Sequence, residues 1–302
     1  MHFKHLGMVG YGEVGRIFSA GLKDHLPAVS SWDSKFVQSG SRAACLAHAQ
    51  GVGVQASESM AALCAGADLV ISAVTASNTL AVAEAAAAHI RRGAVFLDLN
   101  SASPATKQAA ARVIEAAGAL YVEAGVMSSV PPYGIRVPML LGGAHAAALA
   151  ERLNGWGMDA TAVSDKLGVA SAIKMCRSVM IKGLEALVIE SYATARAYGV
   201  EDHMIATLQE TFPSIDWQQQ GAYFFSRVVQ HGQRRAEEMR EAANTVREAG
   251  FAPLMTASIA EKQQWVADQA RAGVFAGVDP KSAWQVYADR LLAARPANAS
   301  DC

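Results

Sequence analysis

The sequence predicts an α/β chain in which a doubly wound, mostly parallel sheet is followed by an all-helical half. Three observations carry this expectation. Up to about Ser164, short apolar runs alternate with stretches of helical periodicity, the pattern of a parallel sheet covered by helices. A glycine-rich turn joins the first apolar run to the first helical stretch. Beyond Lys166 the strand pattern stops and long helical segments take over.

In chain order, strands are expected at Leu6–Val9, Ala28–Trp32, Val52–Gln55, Leu69–Val74, Val95–Leu99, Leu120–Val126, Met139–Leu141 and Ala160–Val163. After the first turn Val14, Ile17, Phe18, Gly21 and Leu22 fall on one helix face, which is expected to pack on the sheet. From Gly168 to about Tyr198 there is no proline and one internal glycine, Gly183, so this stretch reads as one unusually long helix. Further helices are expected around Asp202–Thr211, Ala222–Ala249 and Leu254–Ala272, separated by Phe212–Pro213 and by Gly250–Phe251–Ala252–Pro253. The expected division is a sheet domain over 1–165, a helical domain over 166–295 that binds substrate and dimerises, and a frayed tail over 296–302.

At 302 residues, 52% of them hydrophobic, the chain is long enough for two buried cores. Charged residues make up 18% and sum to a net charge of -1, which gives no general attraction to nucleic acid or to an anionic membrane. A small molecule is the expected partner. Cys45, Cys64, Cys176 and Cys302 form no C-x-x-C pair, so neither a disulfide framework nor a metal site is expected. Phe3 to Val9 leads directly into the glycine turn, leaving no room for a secretory leader. Apolar runs such as Ala81–Ala88 fall short of the roughly 20 residues that span a bilayer. The expected location is the cytoplasm.

Gly10-Tyr11-Gly12-Glu13-Val14-Gly15 fits G-x-G-x-x-G, follows an apolar strand and opens an amphipathic helix, the context of a Rossmann-type dinucleotide fold. In such a turn the first glycine permits the tight bend, the second lets backbone approach a pyrophosphate, and the third lets helix and strand pack closely. Asp33, just after the second strand, stands where a carboxylate accepts from the adenosine ribose and repels a 2'-phosphate, which favours NAD. Lys35 and Arg42 nearby offer cations for a phosphate and keep NADP open. Ligands of doubly wound sheets lie beyond the carboxyl ends of strands, which points to Val74–Thr75 and Asn100–Ser101 on the nicotinamide side. Ser101, Ser103 and Pro104 would serve equally at a helix start.

Four segments in order, Gly10–Gly15, Asp98–Pro104, Glu123–Gly143 and Gly168–Lys174, resemble the β-hydroxyacid dehydrogenases, the superfamily of 3-hydroxyisobutyrate and 6-phosphogluconate dehydrogenases. Its substrate loop, usually like D-A-P-V-S-G-G, reads Glu123-Ala124-Gly125-Val126-Met127-Ser128-Ser129 here, with Met127 at the usual serine. The resemblance implies that Ser128 and Ser129 bind the substrate carboxylate and that Lys174, ending the G-x-x-x-x-x-K motif at Gly168, is the catalytic acid/base. Arg177 and Ser178 stand where the family commonly has asparagines, and Glu237–Glu238 where it has a lysine–aspartate pair. With the segment His231–Met239, these departures resemble a branch with a variant helical C-terminal domain.

Residue chemistry points to Lys174 independently. Ser171, Lys174, Ser178 and Lys182 recur at helical spacing on a helix whose other faces are apolar, and a polar stripe there needs partners. Burial lowers a lysine's pKa toward the range useful for proton transfer. Arg234 or His231 could meet a substrate anion, or simply lie on a solvated helix face. The implied reaction is reversible hydride transfer between a nicotinamide and the hydroxyl-bearing carbon of a small hydroxy acid, with Asn100 or Ser178 positioning the lysine. Alternatives are an imine reductase, which would typically carry aspartate or tyrosine at the lysine position, and a dinucleotide-binding protein without catalysis. Tyr223, Phe224, Phe225 and Val228 make a wide apolar face that, with the resemblance, suggests a homodimer.

Overall fold

The computed structural model describes residues 1–295. The expected tail, with Cys302, lies outside the described residues. Two compact units are present, Met1–Cys176 and the chain from Arg177 onward, and the division falls inside the long helix.

The first unit contains β1 (His5–Val9), α1 (Glu13–Leu22), β2 (Ala28–Trp32), α2 (Arg42–Gly51), β3 (Gln55–Ala56), α3 (Met60–Gly66), β4 (Leu69–Ser72), α4 (Thr79–Ala87), β5 (Val95–Asp98), α5 (Pro104–Ala116), β6 (Leu120–Val126), β7 (Pro138–Gly142), α6 (Ala146–Asn154) and β8 (Asp159–Ser164). The eight strands form one sheet in the order β3-β2-β1-β4-β5-β6-β7-β8, parallel throughout except where β7 runs against β6. Chain order reverses between β1 and β4, so the crevice of a doubly wound sheet opens at their carboxyl ends. Alternate strand residues feed cores on the two faces: Leu69 and Ile71 pack with Met8 and Phe18 on one, Val70 with Val9 and Phe96 on the other.

Two strand expectations shift. Val52–Gln55 is mostly a turn after α2, with Gly53 at φ +73°, and pairing with β2 begins only at Gln55. Val54 is apolar because it fills the core from that turn, not because it lies in a strand. Regular β4 ends at Ser72, two residues before Val74: Ala73 still donates to the Val9 carbonyl oxygen at 2.8 Å, and the Val74 N–H turns to Asn100.

The helix α7 (Val169–Tyr198) runs from the first unit into the second, which continues with α8 (Glu201–Thr211), α9 (Trp217–Glu248), α10 (Leu254–Arg271) and α11 (Trp284–Ala293). Helix α9 starts five residues before its expected position because Asp216 caps it, accepting from the Gln219 N–H at 2.9 Å. Helix α11 was not expected. Its buried residues Trp284, Tyr287, Ala288 and Leu291 have the i, i+3, i+4, i+7 spacing of an amphipathic helix, but a glycine-rich stretch precedes them. Of the side chains that suggested a dimer face, Phe224, Phe225 and Val228 lie in this unit's own core, and only Tyr223 is exposed. Among the described residues no helix is long and apolar enough to cross a membrane.

Candidate active site

The turn from β1 into α1 stands at the switch point. Gly10 has φ +96°, and a Cβ there would sit 2.3 Å from the Ala73 carbonyl oxygen; a Cβ on Gly15 would sit 1.8 Å from the Gly10 carbonyl oxygen. Both positions must be bare. At Gly12, by contrast, nothing lies within 4 Å of a built Cβ. No side chain caps α1, whereas Ser59, Ser103 and Asp216 cap α3, α5 and α9. Uncapped N–H groups beside open space fit a dinucleotide pyrophosphate, which the positive end of a helix attracts. Glu13 is exposed and Val14 partly buried.

Tyr11 is fully buried, its hydroxyl 3.0 Å from His48 Nδ1 and its ring 5.6 Å from the Arg16 guanidinium. Asp33 Oδ2 accepts from the Tyr11 N–H at 2.6 Å and Oδ1 from the Lys35 N–H at 2.9 Å, so this acid ties the end of β2 to the glycine turn. Beside it opens a cavity of about 510 Å³ whose lining includes Tyr11, Gly12, Glu13, Arg16, Lys35 and His48.

A row of buried polar residues runs across the carboxyl edge of the neighbouring strands. Ser72 of β4 stands opposite Asp98 of β5, and Asp98 opposite Glu123 of β6. Each holds the next loop. Asn100 donates to Ser72 Oγ at 3.0 Å, and its Oδ1 accepts from the Val74 N–H at 2.7 Å, so its side chain staples two crevice loops together. Asp98 accepts from the Asn100 N–H, from the Tyr121 hydroxyl at 2.7 Å and from Lys107 Nζ at 2.8 Å, with both charged side chains fully buried. Burial, and then the Asp98 carboxylate, raise the Tyr121 pKa well above that of an ordinary phenol, so it stays a donor. Thr75 accepts from Asn78 Nδ2 at the exposed rim.

Glu123 fixes the start of α7. Its Oε1 accepts from the N–H groups of Gly168 and Ala170 at 2.8 and 3.0 Å, and its Oε2 from the Ser171 hydroxyl at 2.7 Å. This is a helix N-terminus capped by a strand carboxylate. One turn later Lys174, partly buried, donates from Nζ to Ser101 Oγ at 2.5 Å. Gly125 of β6 makes room: a Cβ there would be 3.0 Å from the Ala170 carbonyl oxygen and 3.3 Å from Lys174 Cβ. The lysine amine is thereby brought to the loop after β5, and Asn100 connects that loop to Val74, beside the glycine turn. Ser101 is the lysine's partner, while Ser103 is the residue that caps α5.

The other sequence candidates are more dispersed. Ser128 is exposed and Ser129 partly buried on the loop between β6 and β7. In the second unit Ser178 accepts from Lys182 Nζ at 3.2 Å, and Lys182 pairs with Glu238 at 2.7 Å. The polar stripe of α7 therefore has partners along its length. Arg234 is about half exposed and stands 3.8 Å from Glu238. Burial and then the charges of Arg227, Arg234 and Arg235 push the His231 pKa down to about 4, with Glu238 opposing, so the imidazole is neutral at pH 7.

That shift predicts a pH effect. The folded-state value lies below the ordinary 6.5, so the unfolded chain takes up a proton that the fold refuses. This part of the stability is complete above about pH 6.5 and is lost as pH falls toward about 4. Denaturant titrations of His231→Gln should show a shallower loss than wild type across that window; parallel curves would refute the assignment.

Sequence reasoning quoted Asp98, Glu123 and Gly125 within motifs but gave them no role. The signals were an acid closing one apolar strand and an acid and a glycine inside another. Lys107 carried no signal.

Residues 5–148 match the family described as the NAD binding domain of 6-phosphogluconate dehydrogenase, and residues 195–266 match a domain of unknown function, DUF1932. A conserved hypothetical protein from Sinorhizobium meliloti is 37% identical, with 96% of each chain covered and a TM-score of 0.75. The conserved protein MTH1747, whose structure is described as similar to 3-hydroxyacid dehydrogenases, is 28% identical over 89% of this chain and 98% of its own, with a TM-score of 0.67. The Mycobacterium tuberculosis 3-hydroxyisobutyrate dehydrogenase solved with L-serine shares the fold at 15% identity, covering 89% of this chain and 96% of its own, with a TM-score of 0.68. An NAD(P)-binding Rossmann domain followed by helices, the matched families and these neighbours agree: the chain belongs to the β-hydroxyacid dehydrogenase superfamily.

Proposed function

We propose that the protein is an oxidoreductase that interconverts a small hydroxy acid and the corresponding oxo acid, with Lys174 as the general acid/base. The observation that carries this is the Lys174 Nζ–Ser101 Oγ hydrogen bond of 2.5 Å at the carboxyl edge of the sheet. An amine held there has a donor–acceptor neighbour through which a proton can leave, and its helix is pinned by Glu123.

A bound nicotinamide supplies the two-electron acceptor or donor. Gly10, Gly12 and Gly15 with the open start of α1 hold its pyrophosphate, and the Val74–Thr75 and Asn100–Ser101 loops line the nicotinamide side. Lys174 takes the hydroxyl proton in oxidation and returns it in reduction. Ser128 and Ser129 bind the carboxylate through hydroxyl and backbone N–H groups. Arg234, half exposed, offers a cation and the neutral His231 an N–H donor to an anionic substrate group. Dinucleotide reduction, followed at the nicotinamide absorbance with a panel of 2- and 3-hydroxy acids beside cyclic and acyclic imines, tests the reading. Turnover of hydroxy acids is expected; turnover of imines alone, or of neither class with a dinucleotide bound, overturns it.

A further inference from the structure

We propose that the protein selects NADP over NAD, with Arg16, Lys35 and His48 receiving the 2'-phosphate in the cavity beside the glycine turn. The proposal rests on reading that turn as the dinucleotide site and adds the choice of dinucleotide.

Asp33 is the residue that would exclude a 2'-phosphate, but its carboxylate already serves the backbone. One oxygen accepts from Tyr11 N–H and the other from Lys35 N–H. Among the described residues the cavity lining does not include it. The lining instead carries two permanent cations, Arg16 and Lys35, and an imidazole, His48, against one acid, Glu13. Arg16 and His48 both clasp the buried ring of Tyr11, at 5.6 and 5.7 Å from it, so they are held on one wall.

Arg16 is incompletely used. One terminal nitrogen donates to Cys45 Sγ at 3.4 Å, a weak acceptor, and its Nε is buried with no hydrogen-bond partner. The guanidinium thus lines the cavity with its donors incompletely used, and a phosphate dianion matches their planar array. The adenosine ribose of a dinucleotide lies at the end of β2, where Lys35 stands. Sequence spacing pointed to Lys35 and Arg42 as cations near Asp33; the fold adds Arg16 and His48, which come from α1 and α2.

The test is binding, read by isothermal titration of the full chain with NADP+, NAD+, 2',5'-ADP and 5'-AMP. NADP+ is expected to bind roughly ten- to a hundredfold more tightly than NAD+, and 2',5'-ADP more tightly than 5'-AMP by a similar factor. Arg16→Ala should remove most of that ratio while leaving the NAD+ affinity within about threefold, and Lys35→Ala, an exposed position that does not endanger folding, should reduce it by about three- to tenfold. Equal or tighter NAD+ binding overturns the proposal and leaves the dinucleotide reading standing. A ratio unchanged in both variants overturns the residue assignment, and failure of all four ligands to bind overturns the dinucleotide reading with it.

Discussion

Lys174→Ala is expected to lower kcat by about 10²- to 10⁴-fold while the affinity for the dinucleotide stays within about twofold. The size follows from losing a positioned proton-transfer group. The selectivity follows from the geometry: the lysine donates to Ser101, whereas the glycine turn is shaped by Gly10, Ala73 and Gly15. Truncation also leaves room beside Gly125 and frees the Ser101 hydroxyl to find water, so the fold should survive. Lys174→Arg sharpens the test, since arginine keeps the charge and can donate to Ser101 but does not release its proton near neutral pH. If proton transfer is the role, arginine fails nearly as badly as alanine. Turnover near wild type in Arg alone would make the residue a fixed charge, and turnover near wild type in both would remove it from the chemistry.

Much of this site could be read in the sequence because its parts are local. The G-x-G-x-x-G turn is fixed by contacts between residues five apart and by the strand beside it, and the glycine spacing encodes both. The stripe on α7 is likewise a spacing within one helix. What spacing does not encode is pairing across the sheet. That Ser72, Asp98 and Glu123 stand in one row depends on the register of three strands separated by about 25 residues each. Hence spacing alone offers Asn100 or Ser178 to position the lysine, and the register adds that the Asn100 side chain joins two loops while Ser101, one residue on, meets the amine. The same reason hid Arg16 and His48: they belong to separate helices, and only the buried ring of Tyr11 brings them together.

Asp98→Ala should be the most destabilising single change in this row, by about 3–5 kcal/mol in denaturant titration. The carboxylate is completely buried and accepts from Lys107, Tyr121 and the Asn100 N–H, so its loss strands a buried ammonium, a buried phenol and a loop amide together. Lys107 keeps one acceptor, the Asp98 carbonyl oxygen at 2.9 Å, which satisfies a hydrogen bond but not a charge. The double variant Asp98→Leu with Lys107→Met removes both charges and should recover part of the loss, because it leaves no buried unpaired ion and only the Tyr121 hydroxyl and the Asn100 N–H without their acceptor. Asn100 still staples the loops through its side chain in that variant, so dinucleotide binding should persist while kcat falls, the loop that carries Ser101 no longer being fixed by the bond from the Asn100 N–H to Asp98. A single variant within about 1 kcal/mol of wild type, or a double variant less stable than the single, would show that the ion pair does not anchor the loop that receives Lys174.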